Sequence, residues 1–473
     1  MLRVLILDRS NPVFFQWVRG LAQAVTDLDL RILFVSDKEK SGLYGNLEVI
    51  NVFDGLQDSE LETLERKAGF SLHRALVPER SFFDYSSFRK CRTYSSLAIE
   101  EIGRRIRPYF NTLDYVIREK ADVVLEGLAD NFMTSLATRL ARFYGKPFYM
   151  AYAYYWWSDG LFFVDRVDQT SSDVDRRYRH YRQHPEEIDR ARVDSIFSQK
   201  RATLQFPGRG IYPLGLRLRQ LWARRKSYEP ISWSHWICRR ISALASRVGI
   251  RLFIPQHRAL YDEDFILFPL HVSPEATLLG SEPELADQFS LIKNISMNLP
   301  FGVRLYVKEH PAQFLGHGLD YDFYRRLTAL PNVRYYRGDA ALKELMSHRR
   351  CLGVAVINGT VGLEAAMNRK PVFVFGRALY GAGDCFFKPK SFEEFYSHVQ
   401  KLRYEGHVFD EQALYAILQS LDDAVVHADI DISRFKSWTE MALSSDAIYR
   451  AFLIKCLAAY SSGSGGRRIS GRD

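Results

Sequence analysis

The amino-acid sequence predicts an α/β fold with two parallel sheets, and three observations support this class. Short apolar runs rich in Leu, Val and Ile are bounded by polar residues, which is typical of buried parallel strands. Helical patterns separate these runs, and an alternation of strand and helix favours a parallel sheet. The chain has 473 residues, which is too long for one ordinary hydrophobic core, so two domains are expected.

The first half of the chain alternates strand and helix from its beginning. Its last helical pattern ends at Gly145-Lys146-Pro147, residues that stop a helix. The predicted elements are strand 2–7, helix 13–25, strand 30–35, strand 121–125, helix 132–143 and the strand FYMAYAY that follows.

The second half resumes the same alternation, which predicts a second sheet. Its predicted elements are strand 264–270, helix 282–298, strands 303–307, 333–336 and 352–357, helix 361–368 and strand 371–375.

A basic segment lies between the two halves. Residues 209–251 hold ten Lys or Arg and a single acid, Glu229, interleaved with three tryptophans. The predicted organisation is an N-terminal α/β domain at 1–208, an interdomain segment at 209–255, a C-terminal α/β domain at 256–440, a helix at 441–460 and a flexible basic tail at 461–473.

The composition is that of a globular protein with anionic partners. The chain is 47% hydrophobic and 26% charged, and its formal net charge is +9, which suits phosphates, acidic glycans, anionic lipid or nucleic acid equally. Five cysteines without CxxC spacing indicate reduced thiols in a cytosolic protein, with neither a disulfide framework nor a zinc site. The first apolar run ends at Asp8 and is too short for a signal sequence, and no run reaches the roughly 18 residues of a membrane span. A cytoplasmic protein is expected, at most peripheral to a membrane.

Four motifs in the second half follow predicted strands, at the edge where open parallel sheets bind ligands. The first, FPLHVSPE at 268–275, brings His271 to this edge and continues to Glu275. A structural histidine in a turn is an equal alternative. The fourth, KPVFVFG, ends at Gly376 and leads into a Gly-rich loop that could close over a ligand.

The second motif, LYVKEHP at 305–311, ends a strand in charged residues. Pro311 cannot continue a central strand and favours an extended His310. Side chains alternate along a strand, so Lys308 and His310 share a side that Glu309 opposes. A His or Lys at this place can neutralise a phosphate or protonate a leaving oxygen, and the alternative is a solvated strand end.

The third motif, INGTVGLEAA at 357–366, runs from a strand directly into a helix. Asn358 precedes Gly359, which permits close backbone approach, while Thr360 offers a hydroxyl and the helix N-terminus offers free N–H groups. Glu364 lies one turn further on the same side, where it could accept hydrogen bonds from ribose hydroxyls. The alternative is that Thr360 is a simple N-cap and Glu364 a surface residue.

The order and spacing of FPLHVSPE, VKEHP and NGTVGLEAAMNRKPVFVFG resemble the capsule polysaccharide biosynthesis family. That family includes bacterial transferases of Kdo, 3-deoxy-manno-octulosonic acid. The resemblance covers residues 265–384 well and the N-terminal half loosely, and it departs from the Kdo transferases where FPLHVSPE replaces a Gln-centred motif. It implies a GT-B fold of two Rossmann-like domains facing a cleft, with the donor held mainly by the C-terminal domain. By similarity to bacterial sialyltransferases, His310 and Thr360 would contact the phosphate of a CMP-sugar and Glu364 its ribose.

The function that the resemblance implies is glycosyl transfer in the biosynthesis of a capsular or O-antigen type polysaccharide. The donor would be CMP-linked Kdo or a related ulosonic acid, and the acceptor a glycan or a lipid-linked glycan. Two alternatives stay open. One is a UDP-sugar-dependent hexosyltransferase or nucleotide-sugar 2-epimerase, and the other is a non-catalytic protein that binds or assembles glycan.

A catalytic base or nucleophile is expected from the first domain. Glu126, at the end of a predicted strand, is the first candidate, although it could equally be a helix cap, and Asp8 and Asp159 follow. On the donor side we include His271 among the catalytic candidates.

Other chemistries find little support in the sequence. Acidic patterns at 173–175, 262–264 and 429–431 do not follow strands of the first domain, so a reaction without a metal ion or added cofactor is predicted. GxSxG, Walker A and GxGxxG motifs are missing, which disfavours hydrolases, kinases and dehydrogenases. The basic segment contains no recognised nucleic-acid module, so no nucleic acid is expected; a solvated face is favoured, and contact of 209–251 with an anionic membrane is the alternative.

Overall fold

The structure is a computed structural model that describes most of the chain. The described residues are 1–8, 14–54, 65–66, 69–78, 99–126, 131–152, 157, 160–198, 241, 244–246, 248–257, 261–273, 276–311, 313, 321–427 and 446–461.

Fourteen strands, β1 to β14, are present in the described ranges. In chain order they are Leu2–Leu7, Leu30–Ser36, Gly42–Tyr44, Leu47–Asn51, Val123–Glu126, Phe148–Tyr152, Gly160–Val164, Phe265–Pro269, Arg304–Lys308, Val333–Tyr336, Cys351–Val356, Val372–Val374, Phe386–Phe387 and Val426–His427.

The α-helices with defined bounds are numbered α1 to α14 in the same order. They are Phe14–Ala24, Leu72–Leu76, Ile99–Tyr115, Phe132–Phe143, Ser172–Gln183, Arg190–Ser198, Ala276–Ser281, Gln288–Met297, Tyr321–Thr328, Leu342–Ser347, Val361–Met367, Phe392–Tyr404, Glu411–Ala424 and Asp446–Ser461. A π-helical turn, Val116–Lys120, continues α3, and 3-10 turns occur at Pro185–Glu187 and Pro283–Leu285.

The first sheet has eight strands in the order β14-β7-β6-β5-β1-β2-β4-β3. Its centre, from β6 to β4, is parallel, and the apolar run of β1 pairs along its whole length with β2. Strands β7 and β14 at one edge and β3 at the other are antiparallel to their neighbours. In the parallel part the chain first adds strands on one side of β1 and then on the other, so the topological switch point lies between β1 and β5.

The second sheet has six strands in the order β10-β9-β8-β11-β12-β13, and all its pairs are parallel. This is the doubly wound order 3-2-1-4-5-6 of Rossmann-type sheets, with the switch point between β8 and β11. The prediction of two Rossmann-like sheets is confirmed.

The hydrophobic core links the two sheets. A single cluster of buried side chains includes Leu5 and Leu136 around the first sheet, Leu267 and Val356 in the second, and Ile417 of α13. The other faces of the sheets have separate clusters. The described helices include none with the length and apolar composition needed to cross a membrane.

After the second sheet the chain returns to the first. Helix α13 packs against α5 and α6, β14 pairs with β7, and α14 packs against α1. Residues 411–427 therefore contact the first sheet, whereas the predicted boundary at residue 440 groups them with the second.

Two predicted helices differ from the observed ones. The helix predicted at 282–298 is divided, because Pro283 begins a 3-10 turn and Asp287, with ψ of 80°, interrupts the helical backbone before α8. The helix predicted at 13–25 ends at Ala24, one residue earlier, and residue 13 lies outside the described ranges.

Candidate functional site

The candidate site is the edge of the second sheet where β8, β9, β11 and β12 end. The segments that follow these strands hold His271, His310, Asn358 to Thr360 and Gly376. Because all the strands are parallel, their carboxyl ends meet along one edge. The four motifs therefore meet there, as the sequence predicts.

Lys308 and Glu309 are buried, and together they hold the turn at Gly338. The Lys308 ammonium donates to the carbonyl oxygens of Glu309 at 2.9 Å and Gly338 at 3.0 Å. The Gly338 N–H donates to Glu309 Oε2 at 3.0 Å. Burial lowers the pKa of Lys308, which nearby Glu309 and Asp339 partly offset. The Lys308 ammonium and one oxygen of the Glu309 carboxylate thus bind main-chain groups.

The other carboxylate oxygen of Glu309 accepts a hydrogen bond from the Tyr324 hydroxyl. Burial and the negative charge of Glu309 raise the pKa of Tyr324 well above its usual range. The ring of Tyr335 lies 5.0 Å from that of Tyr324 and extends this buried network. Since the network fixes both oxygens of Glu309, the backbone leading to His310 is fixed as well.

His310 is partly exposed, and Pro311 beside it is exposed. The His310 carbonyl accepts a hydrogen bond from the Gln313 N–H at 2.9 Å. A Cβ atom at Gly338 would lie 3.3 Å from that same carbonyl oxygen, so the Gly338 turn packs directly against the His310 backbone.

Two buried glutamines hold the loop that contains His271. The Gln288 side chain accepts from the His271 N–H at 2.9 Å and donates to the His271 carbonyl at 3.2 Å. The Gln313 side chain does the same for Ser273, at 2.9 and 3.2 Å. Since Gln313 follows the His310 turn, it connects the loops after β8 and β9. Neither glutamine is among the residues predicted from the sequence.

The His271 imidazole lies against Gly359, across the switch point between β8 and β11. A Cβ atom at Gly359 would come within 3.2 Å of both Cε1 and Nε2 of His271. The Gly359 carbonyl accepts from the buried Tyr380 hydroxyl at 2.7 Å. A Cβ atom at Gly362 would lie 2.1 Å from that hydroxyl oxygen, so close packing requires a glycine at 362, whereas the contact at Gly359 is tight.

Thr360 and Glu364 begin the helix that follows Gly359. Thr360 has helical backbone angles, φ −59° and ψ −20°, and its side chain makes no capping hydrogen bond, so it is not the simple N-cap of the alternative interpretation. Glu364 lies one turn further and is partly buried. The Asn358 amide donates to Ser281 Oγ at 3.3 Å, which places it beside α7.

The segment after β12 is held from both halves of the chain. A Cβ atom at Gly376 would lie 2.9 Å from Cγ2 of Ile357, and the Arg377 N–H donates to Glu282 Oε1 at 2.7 Å. Burial raises the pKa of Glu282. The Arg377 guanidinium pairs with Asp168, from the first half, at 2.8 Å. This loop therefore makes part of the contact between the two halves of the molecule.

Asp8 and Glu126 flank the switch point of the first sheet. Asp8 follows β1, Glu126 ends the neighbouring strand β5, and both are buried. Asp8 accepts a hydrogen bond from the Ser36 hydroxyl at 2.6 Å. The two predicted carboxylates thus occupy the position at the switch point of the first sheet that His271 and Gly359 occupy in the second sheet. Asp159 and Glu275, also predicted, lie outside the described residues.

Two of the three acidic patterns considered as possible metal ligands form ion pairs with arginines. Asp173 pairs with Arg176 and Arg177, Asp262 with Arg349 and Arg350, and Glu263 with Arg334. The pattern at 429–431 lies outside the described residues. Within the described ranges, His184, Glu186 and Glu187 are close enough together to hold a metal ion, and all three are exposed.

Two doubly wound sheets, each with polar residues at its switch point, define a GT-B-like α/β protein. Residues 228–416 match the family model described as capsule polysaccharide biosynthesis protein. This match confirms the resemblance that the motifs indicated. No curated protein sequence matches this chain.

Several solved structures are similar to this chain at low sequence identity. The KpsC β-Kdo 2,4 transferase of Thermosulfurimonas dismutans is 15% identical, with 63% of this chain and 80% of that chain covered and a TM-score of 0.32. For HepE of Anabaena in complex with UDP-glucose the identity is 11%, the coverage 98% and 100%, and the TM-score 0.27. For the UDP-GlcNAc 2-epimerase of Neisseria meningitidis these values are 12%, 89% and 98%, and 0.24.

Proposed function

We propose that this protein is a glycosyltransferase of bacterial surface polysaccharide biosynthesis. The observation that carries the proposal is the position of His271, His310 and the Gly359-Thr360 segment along the carboxyl edge of a Rossmann-type sheet, with His271 and Gly359 on the two sides of its switch point, where such sheets bind ligands. The match to capsule polysaccharide biosynthesis proteins supports the pathway class. The predicted donor is a CMP-linked ulosonic acid such as Kdo, and the predicted acceptor is a glycan or lipid-linked glycan.

In this proposal the second sheet binds the donor. His310 and Thr360 contact the donor phosphate, with Asn358 and Gly359 giving close backbone approach and Glu364 accepting from the ribose hydroxyls. Lys308 adds positive charge next to the His310 backbone while it binds the carbonyls of Glu309 and Gly338. These groups stabilise the charge that develops on the departing phosphate, which is the role of preorganised donors in catalysis.

The first sheet supplies the base. A bond forms between the acceptor hydroxyl oxygen and the anomeric carbon, the bond from that carbon to the phosphate oxygen breaks, and CMP leaves with the electron pair. Glu126 or Asp8 takes the acceptor proton. No metal ion is required in this scheme, since the side chains and N–H groups supply the positive field.

The first experiment measures thermal shifts with CMP, CDP, UDP, GDP and ADP. A nucleotide at about 100 times its dissociation constant stabilises the protein by about 2.7 kcal/mol. We expect CMP to raise the melting temperature, His310→Ala to abolish the rise and Gly359→Ala to reduce it. The methyl group of Gly359→Ala would lie 3.2 Å from the His271 ring, which must then shift slightly.

The controls are His184→Ala, at an exposed histidine on the first half of the chain, and Gly20→Ala, where a Cβ atom meets nothing within 4 Å. Both should keep the CMP response. A preference for UDP would favour a hexosyltransferase or an epimerase, and the epimerase would turn over UDP-GlcNAc without acceptor. A lack of response to every nucleotide would contradict the transferase and favour the alternative of a non-catalytic glycan-binding protein.

We also propose that the protein contacts an anionic membrane surface through residues 241–253. This range includes the end of the basic segment, and the structure describes most of its residues. Ile241, Leu244, Val248 and Leu252 occupy one helix face at spacings of three and four residues, and they are 50–67% exposed. On the opposite side, Ile250 and Ile254 pack against the core of the second sheet. The adjoining sequence is rich in arginine, so the apolar stripe and the positive charge together fit an anionic bilayer.

The membrane proposal predicts binding to vesicles that contain phosphatidylglycerol and weak binding to pure phosphatidylcholine. Burial of a leucine stabilises by roughly 2 kcal/mol, so Leu244→Glu with Leu252→Glu should weaken co-sedimentation by more than about tenfold. Leu43→Glu, at a similarly exposed leucine of β3, is the control. Unchanged sedimentation of the double variant would contradict the proposal.

A further inference from the structure

Arg139 on α4 is a partly buried cation without a hydrogen-bonded partner in the part of the chain that the structure describes. Its Nε is shielded from solvent and makes no hydrogen bond. Burial, followed by the positive charges of Arg74 and Arg142, lowers the pKa of Arg139 to about 10. Buried charges are ordinarily paired, so this environment is unfavourable for a guanidinium unless an anion joins it.

Three arginines from two packed helices surround this place. Arg139 and Arg142 are one turn apart on α4, and Arg74 lies on α2, which packs against α4. The carboxylate of Glu284, from the 3-10 turn of the second half, acts on Arg139 in the opposite direction, and it already pairs with Arg74 at 2.6 Å. Of the charged groups that act on Arg139, Arg74 and Arg142 are positive and Glu284 is negative, so positive charge is in excess around the Arg139 guanidinium.

The position of the arginine cluster indicates whether it binds the donor or the acceptor. Helix α4 follows β5, the strand that ends at the proposed base Glu126. The residues proposed to bind the donor lie on the second sheet instead. Arg139 and its neighbours thus belong to the half of the chain that carries the proposed base, and they lie at the contact that Arg74 and Glu284 make between the two halves, so we assign an anion at Arg139 to the acceptor.

We propose that Arg139, with Arg74 and Arg142, binds an anionic group of the acceptor, either a sugar carboxylate or a phosphate of a lipid carrier. The proposal deepens the transferase proposed above and rests on it for the identity of the ligand. The anion site itself does not depend on donor chemistry.

The experiment compares Arg139→Met with the wild type in thermal shift, using glucuronate and inorganic pyrophosphate as probes at constant ionic strength. Without a probe, Arg139→Met should melt at the same temperature or higher, because the methionine removes an unpaired charge from a partly buried place. We expect a probe to raise the melting temperature of the wild type and not that of Arg139→Met. A response to glucuronate alone identifies a sugar carboxylate, and one to pyrophosphate alone identifies a carrier phosphate.

Arg104→Met is the matched control, since Arg104 is an exposed arginine of α3 paired with Glu101, outside the cluster. It should respond to the probe as the wild type does. An equal rise in Arg139→Met and wild type would overturn the site, as would the lack of any rise in the wild type. Arg139→Met should keep its response to CMP. A wild type that responds to a probe but not to CMP would contradict the proposed transferase and leave the anion site intact.

Discussion

Replacing Glu309 with glutamine should destabilise the protein by about 3 kcal/mol. The carboxylate of Glu309 accepts hydrogen bonds from the Tyr324 hydroxyl and the Gly338 N–H, and hydrogen bonds to charged groups contribute about 1.5–3 kcal/mol each. A glutamine keeps one acceptor, presents an N–H₂ group to the other donor, and removes the negative charge near the buried Lys308 ammonium. Urea denaturation of the two proteins measures the difference.

The same variant should bind donor nucleotide more weakly, because Glu309 and Lys308 hold the Gly338 turn against the His310 backbone. Glu405→Gln, at an exposed glutamate, is the control and should change neither property. A Glu309→Gln protein as stable as the wild type would show that the carboxylate charge is not needed in this network.

Replacing Asp422 with asparagine should cost about 2–3 kcal/mol in free energy of unfolding. Asp422 on α13 accepts from Trp157 Nε1 at 2.6 Å and from the Arg192 guanidinium twice at 2.8 Å. Arg192 is 39% exposed, so solvent screening reduces the contribution of its charge below that of a fully buried pair. The side chain joins α13 to the first half of the chain, so the loss should appear as a lower urea midpoint.

The cost of Asp422→Asn should depend on pH in a defined direction. Burial raises the pKa of Asp422, but the hydrogen bonds from Arg192 and Trp157 outweigh it and lower the pKa below the ordinary value of 3.8. A carboxyl whose pKa is lower in the folded protein stabilises it fully above the unfolded pKa, and loses this effect as the pH falls through the folded pKa. The difference between wild type and variant should therefore be constant near neutral pH and shrink below pH 3.8. Asp262→Asn, at a side chain that is 61% exposed, should show a much smaller difference at every pH.

The sequence predicts the strands at 2–7 and 333–336 to the residue, because each is a short apolar run between polar neighbours. It does not predict β7, although all five of its residues are buried, since Gly160 opens the run and its partner β14 comes far later in the chain. The helix α3 is also missed, although its buried residues Ile102, Ile106, Tyr109 and Leu113 recur at helical spacing, because charged residues lie between them and Pro108 falls inside the helix.

For the site, the sequence predicts that His271, His310 and Thr360 share the carboxyl edge of the second sheet, and the structure has them there because each lies shortly after the end of a strand. It does not identify Gln288, Gln313 or Gly338. Glutamine that binds a distant peptide group has no local signature, since Gln313 is 40 residues from Ser273 in the chain. Likewise, Gly338 meets Lys308 and Glu309 only because β10 is parallel to β9.

The return of α13 and β14 to the first sheet has a consequence for biosynthesis of the chain itself. Trp157 and Asp422 are 265 residues apart and form a buried hydrogen bond. On the ribosome, the first half therefore emerges with the outer edge of β7 unpaired. Its partner strand β14 becomes available only after the whole second sheet has been translated. Closing so long a loop is slow compared with local folding. An exposed strand edge is a site for pairing with other chains, so this protein is most vulnerable to aggregation during that interval of its synthesis.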